Sequence, residues 1–258
     1  VSWKGGVGFS PIGASAVEAF TGSFDGQGYV IENLTIHRPD ENQIGLFGYV
    51  DTYKAIKNIT LANVAISGYD CVGGVAGYVR SGEISGCAVT GEVAGNDAVG
   101  GILGKSGMVT GYAPTPKTVK ACGVSGSISG HDYVGGIIGS SQYATASHCI
   151  SDSDIAGRNY IGGITGYQGG VSSCKTSGTV YGWDCIGGIA GGEVSVYFCH
   201  SDANVDGSSK VGGLIGAGKR CGNSYATGPV IGGIYTGGAI GYCGEAYFYD
   251  KADISNCF

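Results

Sequence analysis

The chain has 258 residues, 53 of them glycine and only five proline, with 13% charged and 43% apolar side chains. Glycine far exceeds its usual share of roughly 7%, yet scarce proline excludes collagen and the apolar content excludes disorder. A net charge of −6 with 14 Lys and Arg argues against nucleic acid or an anionic membrane as partner, and no apolar run approaches the roughly 18 residues of a membrane span.

The chain opens on Val1 with no signal-peptide pattern, which reads as an excised fragment of a longer protein. Residues 1–43 lack the repeat described below and carry bulky landmarks: Trp3, Phe9, Phe20 and Phe24-Asp-Gly-Gln-Gly-Tyr29. Val30-Ile-Glu-Asn-Leu-Thr-Ile36 reads as a strand. A stacked sheet must cover its first open end, so this stretch is expected to be an N-terminal capping coil. Residues 44–258 then form one continuous repeat domain, opened by the abbreviated phrase Ile44-Gly-Leu-Phe-Gly48.

The full phrase, as in Gly95-Asn-Asp-Ala-Val-Gly-Gly-Ile-Leu-Gly104, returns with its first paired glycine at 73, 100, 135, 162, 187, 212 and 237. The intervals are 25 or 27 residues apart from one of 35. Self-similarity at such a period predicts stacked coils. Thirteen residues before each Gly-Gly pair stands Cys87, Cys122, Cys149, Cys174 or Cys199, with Ser224 in the sixth place. Counting on from there, even positions are small or apolar (Val89, Gly91, Val93) and odd ones polar (Thr90, Glu92), and the later coils follow the same pattern. That period-2 alternation predicts a half-buried strand. Val-Gly-Gly-Ile predicts a second strand, and Ile84, Val119 and Val171 hint at a third side. No segment shows a capped 3.6-residue apolar stripe. The expected fold is an all-β solenoid of seven to eight coils, about 25 residues each, with neighbouring coils paired in parallel over about 35–40 Å. The long interval places a loop insertion at 105–117, where Pro114 and Pro116 flank Thr115. Ile254-Ser-Asn-Cys257 begins a further coil, and no polar cap follows it.

The Gly-Gly-[Ile/Val/Leu]-x-Gly phrases, with Phe24-Asp-Gly-Gln-Gly-Tyr29, Ile31-Glu-Asn-Leu-Thr-Ile36, Ile44-Gly-Leu-Phe-Gly48 and Ile56-Lys-Asn-Ile-Thr-Leu61, resemble the GLUG-motif repeats of bacterial surface and secreted proteins. The resemblance runs from about residue 20 to the end. It implies a right-handed parallel β-helix within a larger cell-surface protein, as in adhesin-like proteins and immunoglobulin-A-cleaving metallopeptidases. It carries over no catalytic residue, since the sequence has no His-Glu-x-x-His zinc helix. The cysteine column departs from the family pattern.

Equivalent cysteines one coil apart would have Cβ atoms about 4.8 Å apart, outside the usual 3.5–4.5 Å of a bridge. Cys87, Cys122, Cys149, Cys174 and Cys199 are therefore expected to be a buried column of free thiols filling a narrow interior. Cys-x-x-Cys zinc spacing is missing, and no metal or cofactor is expected. Cys221 and Cys243 lie in neighbouring coils, which leaves a bridge between them open. Asp70, Asp97, Asp132 and Asp184, with Asn159 in line, lack the nine-residue period of calcium rolls and are expected to brace a repeated turn.

Three functional readings follow. Tyr133 and Tyr160 hold one place in successive coils, and Tyr69, His131 and Trp183 one two residues earlier. Exposed rings on a rigid rod suit contact with a glycan or a protein, and Glu92, Asp152 and Asp154 add a polar strand face. The expected function is a non-catalytic extracellular module, adhesive or ligand-binding and acting as a rigid spacer within a larger bacterial surface protein. Its partner would be a host or cell-surface glycan or protein. The rival is a polysaccharide-active β-helix enzyme: Asp152 and Asp154 project from one face about 7 Å apart, with Asp202 near, a spacing that glycosidic chemistry permits. The third is a fibre subunit associating end to end through unpaired strand edges. Histidines 148 and 200 adjoin column cysteines but face away from them, which excludes a nucleophile pair.

Overall fold

The computed structural model describes residues 6–107, 117–244 and 253–258, and no α-helix occurs among them. One coil shows the plan. Between Cys87 and Cys122 the chain runs through strands Ala88–Ala94, Asp97–Gly100, Leu103–Ser106 and Lys117–Lys120. Each pairs in parallel with its counterpart one coil on: Val89 with Val124, Gly100 with Gly135, Leu103 with Ile138 and Lys117 with Ala144. The paired glycines keep register from Gly73 through Gly100, Gly135, Gly162, Gly187 and Gly212 to Gly237. The chain is a parallel β-solenoid of about 8 turns with ~27 residues per turn.

The opening segment is already part of the stack. Phe24–Asp25 pairs with Phe47–Lys57, while Val30–Glu32 and Thr35–Arg38 pair with Thr60–Gly68. Phe20 and Phe24 pack on the buried Phe47 ring at centroid separations of 4.8 and 5.5 Å, covering the core at that end. The long interval falls between Leu103–Ser106 and Lys117–Lys120, which both pair with Ala76–Ser85. Lys105 and Lys117 thus belong to strands, and residues 108–116 of the expected loop lie outside the described residues.

Alternation along each strand produces the interior. In Ile150–Ala156, Ser151, Ser153 and Ile155 are buried while Ile150, Asp152 and Asp154 are exposed. The Gly-Gly pair is needed for close approach. A Cβ on Gly101 would stand 2.4 Å from the Gly136 carbonyl oxygen and 2.5 Å from Val124 Cγ1, distances that no side chain tolerates. The corner before each Val/Ile-Gly-Gly is a left-handed residue that is rarely glycine. Ala98, Tyr133, Tyr160, Cys185, Lys210 and Tyr235 all have φ between 52 and 62°, at a cost on the order of 1 kcal/mol each. A second such corner, at Ala121, His148, Ser173, Phe198 and Asn223, precedes the cysteine column.

That corner gives the column a purpose beyond filling space. Each thiol donates to the carbonyl two residues back: Cys87 to Ser85 (3.4 Å), Cys122 to Lys120 (3.3 Å), Cys149 to Ser147 (3.3 Å), Cys174 to Ser172 (3.3 Å) and Cys199 to Tyr197 (3.2 Å). Ser224 repeats the bond to Gly222 at 2.9 Å. The five cysteines are 0 to 3% exposed and free. Hydrogen bonds with the flanking sulfurs, and then burial, push Cys122 and Cys174 far above the ordinary thiol value.

The bridge open between Cys221 and Cys243 does not form. Cys221 is joined to Cys257 instead, with Cα atoms 6.4 Å apart, and Cys243 stays an exposed free thiol donating to the Gly218 carbonyl. The reason is register. Ser224 pairs with Cys257 and Cys221 with Ile254, so Cys257 takes the next rung of the cysteine column and Cys221 a rung of the adjacent apolar one. The two side chains meet diagonally across the corner.

Candidate functional site

Two surfaces carry the residues singled out by the sequence. On the outer face of the post-cysteine strands, Ser127 pairs with Glu92 on one side and Asp154 on the other, so Glu92 and Asp154 share a column two coils apart. Asp152 sits in the adjacent column and accepts a hydrogen bond from Ser177 at 2.9 Å. Asp202 lies farther along, held by Lys175 at 3.1 Å, His200 at 2.5 Å and the Thr227 hydroxyl at 2.5 Å. The Thr227 bond, then that of Lys175, holds its carboxyl below the usual carboxylate range. Asp202 is thereby suited to staying ionised, the opposite of a general acid, whose pKa must be raised.

The second surface lies where the left-handed corner meets the strand that follows the glycine pair. In that strand the register runs Tyr49, Tyr78, Lys105, Ser140, Tyr167, Gly192, Ala217 and Tyr242. Tyr133 and Tyr160 stand beside it on the corner. Their rings stack at 5.4 Å with an 18° tilt, and Tyr167 packs on both, at 5.1 and 4.9 Å. Tyr49 stacks on Tyr78 at 4.8 Å. Between the two tyrosine clusters the columns carry small or slender side chains, Ala98, Lys105 and Ser140, and a groove of about 650 Å³ opens there. Its lining includes Tyr78, Tyr133, Tyr167, Gln142 and Gln168. Trp183 is exposed but lies outside this lining, on the outer corner column, where its backbone N–H donates to the Arg158 carbonyl at 2.7 Å.

Along the groove rim the repeated acidic position forms a ladder between coils. Asp70 Oδ1 accepts the Asp97 N–H and the Asn96 side chain (3.1 and 3.0 Å), Asp97 Oδ1 accepts the Asp132 N–H (3.1 Å), and Asp132 Oδ1 accepts the Asn159 amide (2.9 Å). Burial, then the neighbouring Asp132 and Asp70 carboxylates, push Asp97 up. His131 Nδ1 lies 3.7 and 3.2 Å from Asp97 and Asp132. These three bring ligand atoms within 4.8 Å of one another, yet both carboxylates already hold the ladder. Burial pushes the Cys71 thiol, on the groove wall, up to about 11, which makes it a poor nucleophile at neutral pH. Burial, reinforced by the Glu193 carboxylate, likewise keeps Tyr167 a phenol.

No family model matches the chain. It is 49% identical over 78 residues, 29% of its length, to halomucin of Haloquadratum walsbyi, of which the match spans 1%. It is 42% identical over 57 residues, 22% of its length, to a "Putative Gly-rich membrane protein" of Evansella cellulosilytica, of which the match spans 6%. Among solved structures it is similar to a "putative immunoglobulin A1 protease" from Bacteroides ovatus, at TM-score 0.61 and 17% identity, over 96% of this chain and 72% of that one. At that identity the likeness is one of fold. No helix among the described residues is long and apolar enough to cross a membrane.

The structure thus brings Tyr133 and Tyr160 into a cluster with Tyr167, and leaves Trp183, Glu92, Asp152 and Asp154 elsewhere. Tyr78, Lys105, Ser140 and Tyr167 were missed by sequence reasoning. The signal was present: each stands five residues after the first paired glycine of its coil.

Proposed function

We propose that the chain is a non-catalytic extracellular repeat module, a stiff rod within a larger surface protein that presents a ligand-binding face. The observation that carries this reading is the contrast in how polar groups are deployed. Asp152 and Asp154 stand exposed on an open strand face, Asp202 is paired with the Lys175 ammonium, and partly exposed tyrosines gather round a groove. Exposed carboxylates on one open strand face lack the water-excluding walls that glycosidic cleavage needs. The matches to halomucin and to a membrane protein favour the surface setting, as does the GLUG-like repeat. Each match spans a small part of its relative, in keeping with one module among many.

The test is a glycan array read for binding beside a turnover assay on the same polysaccharides. Binding with no product release is expected. Product release that disappears in Asp154→Asn would establish the enzyme reading instead. The fibre reading instead predicts light scattering that rises with protein concentration.

A further inference from the structure

Among the described residues, three groups in the groove have unspent bonding capacity. The Ser140 side chain is 8% exposed and lines the floor, yet its hydroxyl has no hydrogen-bond partner in the protein. The half-buried Lys105 ammonium has no ion pair or hydrogen bond. The Gln142 side-chain amide, exposed at the rim, has none either. The Ser140 hydroxyl opens onto the groove, and both it and the half-buried Lys105 ammonium can take a partner from a ligand. A ligand rich in hydroxyls supplies such partners to both.

The flanking rings set the shape of that ligand. Tyr78, Lys105, Ser140 and Tyr167 are consecutive register partners, so Tyr167 stands three coil steps from Tyr78, about 14 Å, and Tyr133, in the Ser140 coil, two steps, about 10 Å. That length accommodates a short run of pyranose rings. The groove volume falls in the usual range of roughly 300–1,000 Å³ for ligand pockets. Charge narrows the class further. Asp70 and Asp97 line the same groove as Lys105, so an anionic polymer meets two carboxylates for one ammonium. A neutral sugar chain meets donors and acceptors on both sides. Hexopyranoses with equatorial substituents also present flat C–H faces, which suit the partly exposed tyrosine rings.

We infer that the groove between Tyr78 and the Tyr133–Tyr167 pair binds a short run of neutral, equatorially linked hexopyranose units. The end rings lie on the tyrosines, and the middle hydroxyls meet Lys105, Ser140 and Gln142. This rests on the reading of the chain as a binding module and names the site and ligand class within it.

The repeat supplies its own benign substitutions. Ala98 holds the Tyr133 position one coil earlier with φ 58°, and Ala217 holds the Tyr167 position two coils later. Tyr133→Ala and Tyr167→Ala therefore introduce side chains that the fold already accepts there. Calorimetric titration of the full chain with cellohexaose and with chitohexaose should show binding of at least one. Each tyrosine variant should weaken it about tenfold, the scale of one lost ring contact. Ser140→Tyr, which fills the floor, should abolish it, with circular dichroism confirming the fold. Asp154→Asn should leave it unchanged. Failure of both probes at millimolar concentration would overturn the inference. So would binding that survives all three groove variants, although the module reading would then stand with its site elsewhere. Sugar release with the groove effects intact would overturn the module reading and keep the site.

Discussion

The carboxylate strip and the tyrosine groove are built by the same register, and the contrast between them shows what repetition can and cannot make. On the strip, the columns through Glu92 and Asp152 run along open strands, with Glu92, Asp152 and Asp154 exposed. Periodicity there gives a row of similar groups, none of them enclosed. The groove arises where periodicity breaks. A column that carries Tyr78 and Tyr167 drops to Lys105 and Ser140 between them, and the neighbouring corner drops from Tyr133 to Ala98. Missing bulk at two coils, with rings on either side, makes a concavity from a ladder.

The substitution expected to do most damage strikes a support common to both. Gly101→Val would drive a side chain into the Gly136 carbonyl and the Val124 methyls, at about 1–3 kcal/mol or more. A fall in the thermal midpoint by several degrees, visible by calorimetry, is the expected outcome. An unchanged midpoint would mean that the coils are less closely stacked than described.

A smaller effect separates the surfaces. Asp97→Ala removes the acceptor of the Asp132 N–H in the groove-rim ladder and should cost about 1 kcal/mol by chemical denaturation. Asp154→Ala on the strip should stay within about 0.5 kcal/mol, as for ordinary surface changes. Equal costs would erase the distinction between a braced rim and a solvated face.

The smallest effects are the protonation shifts, which have opposite signs on the two surfaces. Asp202 is held below its ordinary value, so its contribution to stability is present above the unfolded pKa and lost as pH falls through the folded one. Asp97 is raised, so its contribution is largest at low pH and declines as pH rises from the unfolded pKa to the folded one. Carboxyl-carbon NMR should find Asp97 titrating above Asp202. The reverse order would contradict both electrostatic environments.

Much of this was readable before any coordinates. The glycine phrase set the period, and the alternation after each cysteine showed which side chains turn inward. Two things were hidden for physical reasons. Tyr133, Tyr160 and Lys210 sit in the left-handed region, and nothing in a tyrosine or lysine advertises that backbone. Adjacent coils offer Cys243 as a partner for Cys221, whereas the bridge to Cys257 is diagonal between two columns. The groove escaped notice because it is defined by the small residues between the rings, and a search for aromatic residues does not register a gap.

The most direct test of the proposed groove is a residue-resolved NMR titration of the labelled chain with cellohexaose and with chitohexaose. The account predicts that amide shifts concentrate at Tyr78, Lys105, Ser140 and Tyr167, with the strip silent. Shifts concentrated at Asp152, Asp154 and Asp202 would contradict it.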